Sequence, residues 1–228
     1  MVTTETKSPP LRRRVRALLR RLEREYGKAR RERTAPIDEL ILTILSQNTS
    51  DGNRDRAYDS LRARFSSWEA LRLAPRSEVE DAIRPAGLWK QKARVLQDTL
   101  NALHDEHGRL DLSHLESLSD AEIIDYLTGH RGIGVKTAAC VLCFSLGRPY
   151  MPVDTHVHRL ARRLGLIPAE VNADRAHELL NSKPAVPPEL RFSFHIQLIR
   201  HGRRVCRAAR PACDSCILND LCPKLDVD

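Results

Sequence analysis

The sequence predicts an all-α protein, and three observations support this fold class. Leu, Ala, Arg and Glu dominate the composition, and aromatic residues make up only 4% of it, a balance that favours helix over sheet. Apolar residues recur at helical spacing along several stretches of the chain. No stretch shows the alternation of apolar and polar residues that is typical of a strand. The 228 residues suffice for one large domain or two small ones.

The first predicted helices follow one another closely. Residues 11–26 place an apolar stripe among arginines, after a loose N-terminal tail over residues 1–10. Pro36 suits the first turn of the next helix, because its fixed φ is already helical. Ser50 or Asp51 can cap the helix that comes after it.

Capping patterns mark two later helix starts. Ser77 with Glu80, and Ser119 with Glu122, match the capping box, in which each side chain bonds the other residue's backbone N–H. The remaining predicted elements are helices over residues 89–106, 135–146 and roughly 190–201, a helix that begins near Asp154, and a loop over residues 183–190.

The charge balance indicates a class of partner. The formal net charge is +8, which draws a protein towards polyanions, most often nucleic acid. No run of residues is long and apolar enough to span a membrane. The N-terminus lacks an apolar targeting core. We therefore expect a cytoplasmic, nucleoid-associated protein.

Four cysteines near the C-terminus form the most informative motif. They follow the spacing C-x6-C-x2-C-x5-C, at Cys206, Cys213, Cys216 and Cys222. Four converging thiolates can hold a tetrahedral zinc ion or a [4Fe–4S] cluster. Zinc sites usually pair two short Cys-x2-4-Cys knuckles, and only one such knuckle exists here. The spacing therefore favours the cluster, with zinc and two disulfides as the alternatives.

A glycine-containing turn lies within residues 127–142, just before the helix predicted over residues 135–146. Gly132 and Gly134 permit a tight turn with positive φ and let backbone N–H groups approach a DNA phosphate. Lys136 follows in the first helical turn, where the helix dipole and partial burial favour a free amine nucleophile. Taken alone, a plain helix connection and a solvated lysine are the commoner explanations.

Asp154 lies where the next helix should begin. As an N-cap it would stabilise that helix by about 1 kcal/mol, and the same cap would hold its carboxylate rigid for catalysis. His156 and His158 are two residues apart, a spacing that points them to different sides of a helix. We expect structural or phosphate-contacting roles for them rather than a metal pair.

The segments GIGVKTA and VDTH and the cysteine motif, in this order, resemble the endonuclease III family of helix-hairpin-helix DNA glycosylases. The resemblance extends from about residue 36 to residue 222 and includes IRPAGLWKQKA and HGRRVC. It implies a two-lobed fold with a six-helix lobe over residues 29–148. A [4Fe–4S] cluster lobe would comprise residues 149–228, with the helix of residues 1–28 packed on it. DNA and the active site would lie in the groove between the lobes.

The resemblance also implies roles for individual residues. Lys136 matches the family's nucleophile and Asp154 its catalytic aspartate, so we expect a monomeric enzyme that removes oxidised pyrimidines from duplex DNA and cuts abasic sites. The four cysteines would hold the [4Fe–4S] cluster. The residues expected to contact DNA are Gln47, Asn48, Leu88, Arg131, Gly132, Gly134, Thr137, His156, Arg207 and Arg210.

One departure from the family pattern precedes the hairpin glycines. His130 and Arg131 stand where the family usually has Leu-Pro. The change predicts a lost packing anchor and a looser turn, with added positive charge at the DNA face. It keeps two alternatives open: a paralogue with an altered lesion range, and a non-catalytic, redox-sensing DNA-binding module. A monofunctional glycosylase is disfavoured by the presence of Lys136.

Overall fold

The protein is described by a computed structural model over residues 11–182 and 186–227. These residues form helices and turns, with no strand among them, so the predicted all-α class is confirmed. No helix in this part of the chain is long and apolar enough to cross a membrane. The expected N-terminal tail and the first three residues of the 183–190 loop lie outside the described residues.

The α-helices are α1 (Leu11–Tyr26), α2 (Pro36–Ser46), α3 (Asp51–Arg64), α4 (Trp68–Leu73), α5 (Arg76–Ala82), α6 (Trp89–His107), α7 (Asp120–Thr128), α8 (Val135–Cys140), α9 (Thr155–Arg163), α10 (Ala173–Ser182) and α11 (Arg191–Arg204). Short 3₁₀ helices at Arg84–Ala86, Ser113–Ser117 and Pro188–Leu190 connect some of them.

The chain divides into two compact units. The continuous unit is Glu32–Arg148, and the two-segment unit joins Met1–Arg31 to Pro149–Asp228. The continuous unit contains α2 to α8. The resemblance implied six helices here, and the chain forms seven, of which α4 and α8 are only six residues long.

Apolar packing stabilises both units. In the continuous unit the buried side chains come from all seven helices, with Leu40, Leu61 and Leu96 fully buried. In the two-segment unit the apolar stripe of α1 packs with α9, α10 and α11, and Leu18 and Phe194 are fully buried. Each unit thus has its own hydrophobic core, the main source of folding free energy.

Several predicted helix starts are confirmed. Pro36 occupies the first turn of α2, and the Ser50 hydroxyl accepts a hydrogen bond from Asn53 N at the start of α3. Ser119 and Glu122 form the complete capping box of α7. The capping box predicted at Ser77 is wrong: α5 begins at Arg76, two residues earlier than that box implies, because Pro75 already supplies a restricted φ of −53° at the position before the helix.

The helix predicted over residues 135–146 changes its geometry halfway. Regular α-helix ends at Cys140, and Val141–Ser145 forms a wider turn in which Leu146 N donates to Val141 O at 3.0 Å. Such i→i+5 turns are rare and recur at functional sites. All but one of the five residues in the turn are buried, so this segment also belongs to the core of the continuous unit.

Candidate functional site

The hairpin, residues 129–134, joins α7 to α8. Gly132 adopts a φ of +88°, and a Cβ atom there would lie only 2.9 Å from both methyl carbons of Val95. Only glycine satisfies both constraints. A Cβ at Gly134 would meet no atom within 4 Å, so the backbone before α8 is open to close approach by a ligand.

His130 fills the place of the expected apolar residue. It is only 8% exposed, and its ring meets the Tyr126 ring edge-on with 5.1 Å between the ring centroids. The predicted loss of a packing anchor is therefore wrong, because the aromatic pair supplies the packing that an aliphatic side chain would give. Arg131, beside it, is exposed.

Lys136 lies in the first turn of α8 and is half-buried, so it is not a freely solvated lysine. Its ammonium interacts with the buried Cys140 thiol, whose pKa is raised by burial. The same ammonium acts on Glu39 of α2. Burial raises the pKa of Glu39, while hydrogen bonds from Thr34 and Thr43 and the charge of Lys136 oppose that rise.

Thr137 does not support the DNA contact predicted for it. Its side chain is 3% exposed, and its backbone N–H donates to Gly134 O at 2.9 Å. The third residue of α8 faces the core of the continuous unit, since the buried face of this helix begins there.

Two turns of the continuous unit each contain a non-glycine residue with left-handed backbone. Asn48, with half-buried Gln47 before it, follows the end of α2 with a φ of 50°. Leu88 precedes α6 with a φ of 48° and is 50% exposed. Left-handed backbone costs leucine about 1–2 kcal/mol and asparagine less, and such strain clusters at functional sites. The family resemblance implied DNA contacts for both residues, which stay predictions.

Lys92 lies beneath these two turns. Its Nζ donates to Leu45 O at 2.8 Å and to Ala86 O at 2.7 Å, and the residue is only 2% exposed. Burial lowers the pKa of Lys92 to about 8. A buried ammonium requires such partners, because an unpaired buried charge is strongly unfavourable.

Asp154, in the two-segment unit, is the N-cap of α9. Its Oδ1 accepts a hydrogen bond from Val157 N at 2.7 Å, as predicted for a cap. His156, in the first turn, accepts from Arg159 Nη2 at 3.1 Å, and burial lowers its pKa. The carboxylate is thus held by the helix that it caps, and one of its two oxygens is used in the cap.

The four cysteines of the motif line one cavity in the two-segment unit. Backbone N–H groups of Leu218 and Lys224 point at the sulfurs of Cys216 and Cys222, each at 3.4 Å. His201 Nε2 lies 3.4 Å from Cys216 Sγ, and burial lowers the pKa of this histidine to about 4. Donors around sulfur are typical of thiolate-bound iron–sulfur clusters.

The geometry distinguishes among the predicted occupants of this cavity. The four cysteines of the motif form no disulfide in the described part of the chain, which argues against two disulfides. Among the described residues, no three His, Cys, Asp or Glu side chains come close enough to hold a single metal ion. The four thiols that line the cavity, with backbone N–H donors near two of the sulfurs, are compatible with the predicted cluster.

Arg163 organises the loop between the first two of these cysteines. The residue is 6% exposed, and its guanidinium donates to Arg207 O at 2.6 Å, Ala208 O at 3.0 Å and Cys206 Sγ at 3.4 Å. The loop's own arginines, Arg207 and Arg210, are exposed, and Arg210 has a φ of 51°. A buried arginine thus holds the backbone of a loop that presents two exposed ones.

A family comparison agrees with this arrangement. The model of the HhH-GPD superfamily of base excision DNA repair proteins matches residues 41–184. Endonuclease III of Sulfolobus acidocaldarius is 31% identical over 185 residues, which cover 80% of this chain and 79% of the relative. The chain belongs to the endonuclease III-like branch of the HhH-GPD superfamily. It is therefore a base-excision DNA glycosylase of the helix-hairpin-helix type.

Other relatives of this endonuclease III-like chain differ in length. Endonuclease III of Thermotoga maritima is 29% identical over 208 residues, covering 91% of this chain and 92% of the relative. An Arabidopsis thaliana relative that carries a DNA glycosylase name is 37% identical over 196 residues, covering 86% of this chain. The matched region spans 64% of that plant protein's length.

Solved structures share the fold. A non-covalent endonuclease III–DNA complex superimposes with a TM-score of 0.78 and 27% identity, covering 93% of this chain and 95% of that one. A thermostable thymine-DNA glycosylase gives a TM-score of 0.75 at 22% identity, covering 93% and 96%. The first of these neighbours was solved in complex with DNA.

Sequence reasoning missed the structural roles of three charged residues: half-buried Glu39, and buried Lys92 and Arg163. Each interrupts an otherwise apolar helix face, Glu39 within IDELILTIL and Lys92 beside Ala93 and Leu96. A charged residue at a buried helical position was the available signal, because such residues are seldom buried without a partner.

Proposed function

We propose that this glycosylase removes oxidised pyrimidines from duplex DNA and cleaves the resulting abasic site through a Schiff base. The observation that supports it most is the half-buried Lys136 in the first turn of α8, directly after the hairpin. A solved relative is a trapped endonuclease III–DNA covalent intermediate, with a TM-score of 0.78 and 27% identity to this chain. An amine nucleophile is the group that this chemistry requires.

In the proposed reaction the damaged nucleotide is first extruded from the stack, because C1′ is inaccessible within the duplex. Lys136 Nζ then attacks C1′ while the bond from C1′ to the base breaks, and the departing base takes up a proton. Loss of the amine proton and opening of the sugar ring at O4′ leave an imine between Lys136 and C1′.

Strand cleavage follows from that imine. It acidifies the C2′ protons, and removal of one of them expels the 3′ phosphate by cleavage of the C3′–O3′ bond. Hydrolysis of the imine then frees Lys136. One lysine therefore serves both base release and the abasic-site lyase step.

Asp154 is proposed to stabilise the positive charge that develops on the sugar as the base departs. A carboxylate held by a cap is preorganised for this task, and preorganised charge is among the largest contributions to catalysis. Asn48 and Leu88 are proposed to enter the gap that the extruded nucleotide leaves. Exposed Leu88 suits this role because an apolar wedge offsets part of the unstacking cost.

The four cysteines of the motif are proposed to hold a [4Fe–4S] cluster. When bound, the cluster supplies a covalent anchor for the C-terminal segment and a redox-active centre. Arg163 holds the backbone of the loop between Cys206 and Cys213 through hydrogen bonds. The exposed Arg207 and Arg210 of this loop are proposed to bind DNA phosphates.

The test separates base release from strand cleavage. A labelled duplex with one thymine glycol is treated with the enzyme and then either analysed directly or first heated with alkali, which cuts every abasic site. We expect direct cleavage by the unmodified protein. Lys136→Gln should lose cleavage under both treatments, because one nucleophile serves both steps.

Two results would contradict the proposal in different ways. Cleavage only after alkali would make the protein a monofunctional glycosylase. No cleavage under either treatment, from a protein that still binds the duplex, would indicate an altered lesion range or a non-catalytic DNA-binding protein. A duplex with a preformed abasic site separates these two cases, since it requires only the lyase step.

A further inference from the structure

The inference concerns Lys92, which the proposed chemistry does not use. Its ammonium is 2% exposed and bonds two backbone carbonyls, Leu45 O at 2.8 Å and Ala86 O at 2.7 Å. Its backbone N–H donates to a third carbonyl, Leu88 O, at 2.9 Å. Lys92 is therefore hydrogen-bonded close to both turns in which a non-glycine residue has left-handed backbone, those of Asn48 and Leu88.

The two side-chain acceptors lie at helix ends. Leu45 belongs to the last turn of α2, three residues before Asn48, and Ala86 ends the 3₁₀ helix two residues before Leu88. The last carbonyls of a helix lack intrahelical partners and carry partial negative charge. A single buried cation that bonds two such ends fixes the distance between them.

The backbone strain of the two turns makes this bond consequential. Asn48 and Leu88 have φ values of 50° and 48°. Asparagine adopts this conformation readily, whereas leucine holds it only where its surroundings impose it. Leu45 and Ala86 are fully buried, so water cannot replace a lost ammonium donor there without rearrangement. Removing the ammonium would leave two unsatisfied carbonyls directly beneath the two turns.

We propose that Lys92 is a positioning residue that sets the spacing of the Asn48 and Leu88 turns, and with it the fit of both wedges to the gap left by an extruded nucleotide. The proposal rests on the wedge roles of the proposed function. Lys92 itself touches neither DNA nor the reacting atoms.

The first test compares Lys92→Met with the unmodified protein on two duplexes, one with a paired thymine glycol and one with a preformed abasic site. Methionine is unbranched and only one atom shorter than lysine, and it removes the donors. We expect base release to slow at least about tenfold, equivalent to about 1.4 kcal/mol in the barrier. Abasic-site cleavage should change much less, because a nucleotide without a base is extruded without the cost of unstacking and unpairing one.

Leu103→Ala is the matched control. Leu103 lies on the same helix, is 1% exposed, and its truncation destabilises the core without touching either turn. We expect Leu103→Ala to slow both reactions equally or neither. If Lys92→Met behaves like this control, Lys92 is merely structural and the proposal is overturned.

A double-mutant cycle tests whether Lys92 acts through a wedge. In a Leu88→Ala background, Lys92→Met should have less effect on base release than in the unmodified background, because coupled residues are not additive. Additive losses would overturn the proposal. If Lys92→Met does not fold, Lys92→Gln replaces it: the shorter amide cannot bond both carbonyls, so an unchanged rate of base release would contradict the proposal.

A binding measurement separates this proposal from the proposed function. 2-Aminopurine placed opposite a tetrahydrofuran abasic analogue brightens when a wedge unstacks it, and no bond needs to break. We expect Lys92→Met to reduce that fluorescence change at least about twofold, since the signal reports unstacking alone. An unmodified protein that unstacks the probe but releases no base would refute the proposed function only. An unchanged signal with Lys92→Met would refute the role of Lys92.

Discussion

The continuous unit and the cysteine segment, residues 205–227, are held in shape by different interactions. Seven helices of the continuous unit bury apolar side chains against one another. The cysteine segment contains no helix, and Leu218 is its only buried residue. Its backbone is bonded instead by Arg159, which donates to Cys206 O at 2.9 Å, and by Arg163. Apolar packing can stabilise the first region, whereas the second depends on polar bonds and on its thiols.

The same contrast appears around the cysteines themselves. Cys143 lies within the continuous unit, fully buried among apolar neighbours. Cys216 and Cys222 are half-buried and line a cavity, and burial raises the pKa of both thiols. A bound metal centre reverses that preference, because coordinating thiols are deprotonated. Position in the fold, rather than residue type, separates a packing cysteine from a proposed cluster ligand.

The largest expected effect comes from removing one thiol of the segment. Cys213→Ser should abolish the yellow-brown absorbance of a [4Fe–4S] protein and lower the thermal unfolding midpoint sharply, since metal binding is coupled to folding. The measurement is the visible spectrum together with thermal unfolding. Cys143→Ala is the control: it should keep the colour and lose at most about 1–3 kcal/mol of stability. A colourless but fully stable Cys213→Ser protein would contradict the claim that the cysteine segment depends on its thiols for stability.

Asp154 should separate catalysis from stability. Asp154→Asn keeps an oxygen for the cap of α9 but removes the charge, so base release should slow at least about a hundredfold. Asp154→Ala should slow it similarly and also cost about 1 kcal/mol of unfolding free energy, because the cap is lost. Single-turnover kinetics and urea unfolding measure the two effects. If base release by the Asn variant is as fast as by the unmodified protein, Asp154 is only a cap.

Lys92 gives the continuous unit a pH-dependent stability. Burial lowers its pKa from 10.5 to about 8, so the unfolded chain binds more protons at this residue between these two pH values. The contribution of Lys92 to the free energy of unfolding should therefore rise as pH increases from 8 to 10.5, by up to about 3 kcal/mol. Urea unfolding of the unmodified protein and of Lys92→Met, measured between pH 8 and pH 10.5, isolates the contribution of Lys92 to the free energy of unfolding. If the two proteins differ in free energy of unfolding by the same amount at every pH, the pKa of Lys92 is not lowered.

The smallest expected effect concerns backbone strain at Leu88. Leu88→Gly should be more stable than Leu88→Ala by about 0.5–1 kcal/mol, because glycine adopts a positive φ without a Cβ penalty. Both variants should slow base release, since both remove the wedge. Equal stabilities would mean that the turn relaxes when the side chain is shortened.

The sequence predicted the helical fold class and most helix starts because those depend on local patterns. Ser119 and Asp154 bond the backbone three residues later, a relation visible in the sequence itself. The start of α5 was mispredicted because Ser77 matches the capping pattern, yet Pro75 sets the helix earlier.

Interactions between distant parts of the chain could not be predicted in this way. Lys92 bonds Leu45 across 47 residues, and Arg163 bonds Arg207 across 44. His130 was predicted to weaken the hairpin, and the structure shows it packed on Tyr126 instead. Lys92, Arg163 and His130 each interact with a partner that is close only in the folded chain.

Borohydride trapping tests the central claim most directly, because it captures the imine between an enzyme amine and C1′. A duplex with one thymine glycol is incubated with the unmodified protein and with Lys136→Ala, and covalent adducts are separated by denaturing electrophoresis. We predict an adduct with the unmodified protein and none with Lys136→Ala, while DNA binding changes little, since one charge among many is lost. An adduct that persists in Lys136→Ala would contradict the assignment of the nucleophile. Absence of any adduct from folded, DNA-binding, unmodified protein would contradict the proposed chemistry.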